Sequence, residues 1–442
     1  MGQLRAIAGV SFLLFASNGL DVRAAPPAAG DTVTADQVGE VPVAVLPAQD
    51  TAARVPIRRA KAKANPYDVN GFDDGAFQLR PTLQVGAVIS NNATLSATAP
   101  KADAGLELKP SFSFQSEWSR HEWRGSASAD VVRYANTPEA GSLTGSAETS
   151  FRLDIRHTTH ADFSASVLAT QANAGSSEVP GSAISARRDT SIGTAAGLTH
   201  DFGSFEGQAK TALVRNTYGD VALVGGGTER NIDRNYVEPA LTLRGTYGHE
   251  RMPLRPYVEA RYDPRFHDQV LDRNGQRRNS QGVGVALGAV FDDGPIWKGD
   301  VAGNFIARSY DDPALKTAMA LGVNGTVTWS PTPLWSIVAA TGVSLAESEE
   351  INVAATPNWT ASLQANYAWR DNVTFRGSLA LGLAGTSSGG LDTTTVASLG
   401  ADWQINPNMA LSGTLQNTWF APAVGTGAYS EQRVMSSIVL RP

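Results

Sequence analysis

Apolar and polar residues alternate along most of this chain. Ser142 to Arg156 shows it most clearly: Leu143, Gly145, Ala147, Thr149, Phe151, Leu153 and Ile155 share one parity, and Thr144, Ser146, Glu148, Ser150, Arg152, Asp154 and Arg156 the other. A strand sends successive side chains to opposite faces, so this segment has one apolar face and one polar, charged face. The pattern recurs about eighteen times between Phe77 and Leu440. Strands are predicted to begin near Phe77, Ala104, Trp123, Leu143, Phe163, Thr190, Phe205, Tyr236, Leu254, Gln281, Trp297, Thr317, Trp335, Trp359, Val373, Thr393, Met409 and Glu431. Most are about ten to fourteen residues long, enough to cross a bilayer at a tilt near 45°.

The connections alternate in length. Short links are predicted at Glu117 to Glu122, His157 to His160, Asp201 to Ser204, His249 to Pro253, Asp292 to Ile296, Ser330 to Leu334, Arg370 to Asn372 and Gln404 to Asn408. Between them lie longer ones, the largest being Asn91 to Asp103, Gln171 to Asp189, Asn216 to Asn231, Asp263 to Asn279 and Ala421 to Ser430. Outer-membrane barrels have short periplasmic turns and longer external loops. The first link is long, so the first strand is expected to run outward and the N-terminal segment to lie in the periplasm.

Aromatic residues gather at the strand ends. Trp118, Trp123, Phe163, Phe205, Tyr247, Phe291, Trp297, Trp329, Trp335, Trp369, Phe375 and Trp403 lie close to short turns, and Trp359 and Trp419 near the opposite ends. Amphipathic rings favour the level of the lipid headgroups, so these read as interfacial girdles. A soluble sandwich would hold its aromatics mid-strand, in the core. The alternatives are a soluble propeller, a sandwich array or a β-helix adhesin; a propeller should repeat a motif every 40 to 50 residues or so, and none is seen.

Composition narrows the class. The 442 residues include 43 Gly and no Cys, which excludes disulfides, thiol nucleophiles, thiolate metal sites and a lipoprotein anchor. The net charge of −6 comes without a long basic run, so nucleic acid is not an expected partner. Past the N-terminus no apolar run is long enough for a membrane helix, which excludes a helical membrane protein but not a barrel, whose strands are half polar. Residues 1–24 read as a secretory signal peptide, with Arg5 in the n-region, Ala6 to Leu20 as the apolar core and Val22-Arg23-Ala24 as the cleavage site. Residues 25–74, rich in Ala, Pro and Val, read as a disordered periplasmic tether, and residues 75–442 as the barrel.

On a barrel the polar parity faces the lumen. The residues expected to line it are Arg80, Lys109, Arg124, Asp130, Glu148, Arg152 and Asp154 in the first strands. Lys210, Glu238, Arg244, Glu259, Arg261, Arg308 and Arg376 follow in later ones. From Thr317 onward the same parity carries small groups, among them Ala318, Ala320, Gly322, Asn324, Ser336, Gly342, Ser344, Ser378, Ser398, Ser412 and Thr414. One wall is thus expected to be charged and the other small and hydroxyl-rich.

No catalytic or cofactor motif holds up. Gly385-Thr386-Ser387-Ser388-Gly389 matches G-x-S-x-G but lies in a loop between strands, without the strand-to-helix turn the chemistry needs. His121, His157, His160, His200 and His249 lie at predicted periplasmic turns; their residue type suits a rim metal site, but turns are polar in any case. Asp272-Arg273-Asn274-Gly275 has the first residues of a calcium loop without its spaced acids. His267 beside Asp268 is too little for a surface protease or phospholipase. No enzyme, cofactor or metal is expected.

Asn65 to Gly86, reading NPYDVNGFDDGAFQLRPTLQVG, resembles the opening of the putative beta-barrel porin type 2 family in its Pro-Tyr, its Gly-aromatic step and its first strand of the form F-x-L-x-P-x-L-x-V-G, followed by the Asn-bearing loop Ser90-Asn91-Asn92-Ala93. The resemblance implies an all-β, transmembrane, antiparallel up-and-down barrel of about eighteen strands in the outer membrane of a Gram-negative bacterium. Some relatives are linked to exopolysaccharide export with a periplasmic export protein. The other expected partners are outer-membrane lipids, lipopolysaccharide and the barrel-assembly machinery. Val439-Leu440-Arg441-Pro442 lacks the terminal aromatic that this machinery reads in many barrels. A conduit for polysaccharide is the leading expectation, a general diffusion porin the alternative, and a surface adhesin or structural anchor the third.

Overall fold

A computed structural model describes residues 67, 71–172, 183–249, 252–348, 351–386, 389–423 and 427–441. The predicted signal peptide and nearly all of the tether lie outside the described residues, as do Ser387 and Ser388 of the G-x-S-x-G match.

Wherever the alternation runs, the chain is extended. The barrel strands are β1 (Phe77–Ser90), β2 (Asp103–Ser116), β3 (Glu122–Tyr134), β4 (Ser142–Arg156), β5 (Thr159–Ala172) and β6 (Arg187–Asp201). They continue as β7 (Phe205–Tyr218), β8 (Tyr236–Tyr247), β9 (Leu254–His267), β10 (Ser280–Asp293), β11 (Trp297–Tyr310) and β12 (Ala318–Trp329). The last are β13 (Trp335–Glu347), β14 (Ala355–Arg370), β15 (Val373–Gly385), β16 (Leu391–Asn406), β17 (Met409–Ala421) and β18 (Tyr429–Leu440). Each pairs antiparallel with the next, and β18 closes on β1 from Leu83↔Leu440 to Ser90↔Arg433. The result is a closed barrel of eighteen strands. Closure leaves Phe77 to Thr82 of β1 without a partner on that side, and Phe72–Asp73 folds back to pair with Leu79 and Gln78, covering part of the edge.

The two faces are inverted relative to a soluble protein. On β2, Leu106 is 68% exposed and its neighbour Glu107 only 2%. Leu83, Val85 and Ile89 of β1, and Val283, Val285 and Leu287 of β10, are likewise exposed. An apolar exterior this extensive is tolerable only against lipid. The short-turn end carries a ring of exposed aromatics, including Trp118, Trp123, Phe163, Tyr247, Trp297, Trp335, Trp369 and Trp403. Trp297 stacks on Trp329 at 5.3 Å and Trp335 on Tyr367 at 4.6 Å.

Two expectations are corrected. Strands run further toward the long links than the alternation indicates: Asp189 pairs with Thr170, and Asp263 to His267 belong to β9. On β6 Arg187, Arg188 and Asp189 are all polar, so the period fades while the ladder continues; on β9 the alternation itself continues, with Asp263 and Arg265 buried and Phe266 exposed. Second, β12 and β13 pair only from Gly325↔Thr341 to Trp329↔Ile337. Toward the long-link end β13 leaves the wall, and Ala318, Ala320 and Gly322 meet its apolar side chains rather than an open lumen. Trp359, near its strand end as expected, also spans the gap: its indole N–H donates to the Leu321 carbonyl at 3.0 Å.

Candidate functional site

The inward faces carry the charges, and cross-strand geometry pairs them. The densest group lies toward the long-link end, on β8 to β13. Glu238 accepts from Arg265 Nε at 2.5 Å and Arg261 Nη2 at 3.1 Å, with Arg308 Nη2 at 3.8 Å. Arg308 also pairs closely with Asp263, and Arg265 Nη1 donates to Glu347 at 2.8 Å. Three carboxylates thus face three guanidiniums. Arg308 sits on β11 and Asp263 on β9, so their bond crosses β10 above Gly282; a Cβ there would lie 2.5 Å from Arg308 Nη2. Glycine is what lets the two meet.

Toward the short-turn end, Arg244 lies over the Tyr257 ring at 3.4 Å and donates to Asp300 at 2.6 Å. Tyr257 donates to the same carboxylate at 2.5 Å. Lys210 is within electrostatic reach of Asp162, Glu259 and Arg261. In the first strands, Lys109 Nζ bridges Glu107 at 3.2 Å and Asp130 at 3.3 Å. Ser126 donates to Glu148 at 3.3 Å, and Arg124 to Ser150 at 3.1 Å. Arg152 binds Asp154 at 3.0 Å and meets His160 Nδ1 at 3.2 Å. On the opposite wall, Arg376 binds Asp402 at 2.8 Å and Ser412 at 3.0 Å, and Ser378 and Ser398 share a hydrogen bond of 2.7 Å. Arg80 donates to Gln78 at 2.9 Å.

The residues expected to line the lumen therefore share one parity, opposite the exposed apolar residues, but they form local pairs and not one site. Arg80, Arg152, Arg244 and Arg376 stand on β1, β4, β8 and β15, well apart around the barrel. Sequence reasoning missed Asp263 and Arg265, assigned to a link, and also Tyr257 and Glu347. A signal for Glu347 was available: it continues the apolar parity of Val343 and Leu345, where a lipid-facing glutamate would be anomalous.

The long links tie to one another. Arg273 donates to Glu229 at 2.9 Å, Asp233 at 2.9 Å and Asn231 at 2.7 Å. Gln276 and Asn352 exchange two bonds of 3.0 Å, and Arg278 donates to the Val353 carbonyl at 2.7 Å. Burial alone would raise the Asp233 carboxyl, but the bonds from Arg273 outweigh it and hold the pKa below the usual carboxylate value.

The remaining motifs do not gather. Asp272 accepts from the N–H groups of Asn274 and Gln276 and from Arg278, so its turn consumes the carboxylate. Asp268 is held by Arg215 and not by His267. His121 accepts from the Asp154 N–H, and His200 bonds Thr159. Among the described residues, no three His, Asp or Glu side chains are placed to hold a metal ion.

A closed antiparallel barrel with an apolar outside, an aromatic girdle and a paired polar inside defines a transmembrane channel of the outer-membrane type. The chain belongs to the family described as putative beta-barrel porin 2, whose model matches residues 65–442. It is an outer-membrane β-barrel porin. No curated protein matches it. Similar solved structures include the outer membrane protein OpdK of Pseudomonas aeruginosa, 10% identical with a TM-score of 0.40 over 83% of this chain and 99% of that one. OccAB4 of Acinetobacter baumannii is 11% identical with a TM-score of 0.41 over 83% and 98%. The FrpB iron transporter of Neisseria meningitidis, F5-1 variant, is 10% identical with a TM-score of 0.42 over 85% and 83%.

Proposed function

We propose that the barrel conducts an exported polysaccharide across the outer membrane, with the short turns and the N-terminus in the periplasm. One observation carries this reading. The wall's charges are paired off along its length, leaving hydroxyl and carboxylate edges such as Ser126 with Glu148, Ser378 with Ser398, and Ser412 beside Arg376. Such a wall offers a polyhydroxylated chain many weak, exchangeable hydrogen bonds without one strong binding site, which is what repeated passage needs. The long links tied over one side suit a conduit that is closed at rest, and a periplasmic polysaccharide-export protein would dock at the short-turn end.

Two measurements test this. Deletion should remove surface polysaccharide, while the purified barrel in planar bilayers shows a closed baseline. Large steady conductance with intact surface polysaccharide would point instead to a general diffusion porin; neither phenotype would point to an adhesin or anchor. Within the export reading, Arg244→Ala and Arg376→Ala unmask Asp300 and Asp402. Each should slow an acidic polymer about fivefold, since a charge at about 4 Å in water is worth about 1 kcal/mol, and leave a neutral one unaffected. Equal rates for both polymers would remove these pairs from the assignment.

A further inference from the structure

We propose that the breach between β12 and β13 is a lateral portal, through which the acyl chain of a membrane-resident amphiphile passes between the bilayer and the lumen. The portal is independent of the export reading.

The breach is built, not frayed. Among the described residues, no backbone pairing joins Ala318 to Asn324 of β12 with Gly342 to Glu347 of β13, although β12 is fully paired to β11 and β13 to β14. β13 lies on the lumen side of β12. Asn324 shares its parity with the inward Ala320 and Gly322, and its Oδ1 accepts from the Val343 N–H at 2.7 Å. A Cβ added to Gly322 would stand 2.8 Å from Val343 Cβ. Val343 and Leu345 would face lipid if β13 stayed in the wall; both are buried with Ala320. Glu347, on the same face, reaches inward partners on two earlier strands: Arg265 of β9 at 2.8 Å and Tyr310 of β11 at 3.2 Å. The long-link half of β13 is therefore a flap laid over the inside of β9 to β12 and pinned at its tip.

Unpaired backbone facing hydrocarbon is costly, and at this seam the ladder is missing along the whole long-link half of both strands. A side chain closes the gap instead: Trp359 of β14 crosses to cap the Leu321 carbonyl. Leu321 is three residues into β12 and 71% exposed beside Met319, on the apolar lipid-facing side of the wall. Apart from Asn324, whose amide oxygen is taken up by the Val343 N–H, the lining is apolar, from Met319 and Leu321 on the lipid side to Val343 and Leu345 within. That continuity with lipid selects an acyl chain over a sugar as the occupant. Closure needs no new residues, because continuing the register of Gly325↔Thr341 places Val323 opposite Val343.

The test uses the full chain in vesicles with a diazirine-bearing fatty acid as the probe. Photolabelling should mark Val343, Leu345 or Ala320 as well as the lipid-facing residues. Trp359→Ala should raise that inner labelling about fivefold, the equivalent of one lost hydrogen bond. The chain has no cysteine, so Val323→Cys with Val343→Cys makes a unique pair. A short thiol cross-link between them should abolish the inner labelling, and reduction should restore it. Labelling confined to lipid-facing residues and unmoved by Trp359→Ala would overturn the portal. Failure of the cysteine pair to cross-link in barrels that fold and resist detergent would overturn the gate that closes it.

Discussion

Replacing Glu238 with Ala should destabilise the folded barrel by about 3–5 kcal/mol, the usual cost of stripping one partner from a buried ion pair. Glu238 holds Arg265 and Arg261 and stands 3.8 Å from Arg308, a residue only 2% exposed. Without it, Asp263 and Glu347 are left to balance three guanidiniums. The group is nearly neutral and well bonded as it stands, so its stability lies in completeness more than in any one contact. Urea unfolding in lipid vesicles measures the change. Combining Glu238→Ala with Arg265→Ala should cost less than the two single changes summed, because the double variant restores the charge balance. Strict additivity would mean that the cluster does not act as a unit.

Leu287→Arg should cost about 2–4 kcal/mol, as a cation does near the middle of a barrel's lipid face. Leu287 is mid-strand on β10 and 63% exposed. On a soluble β-protein, a change at so open a position would fall within about 0.5 kcal/mol. The two environments thus predict different outcomes for one substitution. The effect should shrink toward the ends of the same face, so Phe291→Arg, at the short-turn end of β10, should cost less. Equal, negligible costs at both positions would remove the lipid from the account.

Much of this architecture was legible because a barrel repeats one rule. Each predicted strand start falls within a few residues of an observed strand, and the apolar parity faces out on β1, β2 and β10 as the alternation required. The rule fails where its physical basis lapses. Near the long links Arg187, Arg188 and Asp189 are all polar, so the period fades there and the segment looked like a loop. Asp263 to His267 keep theirs, with Asp263 and Arg265 buried and Phe266 exposed, and Pro264 is what breaks the look of a strand. Pairing was illegible for another reason. Arg308 finds Asp263 across Gly282 only through the register of three strands, which no single strand encodes. The inward flap of β13 was foreshadowed by Glu347 on an apolar parity, yet its cause, the bond to Arg265 four strands away, exists only in the closed barrel.

In this barrel the polar parity faces an aqueous lumen and the apolar parity faces lipid. Ser378 and Leu379 are neighbours in the middle of β15, and Leu379 is the exposed one. Each should be changed to Cys in this cysteine-free chain and challenged, in the membrane, with a membrane-impermeant maleimide. The cysteine at position 378 should be labelled and the one at 379 protected. Labelling at 379 with protection at 378 would contradict this arrangement, because that is the pattern of a soluble protein with the same fold.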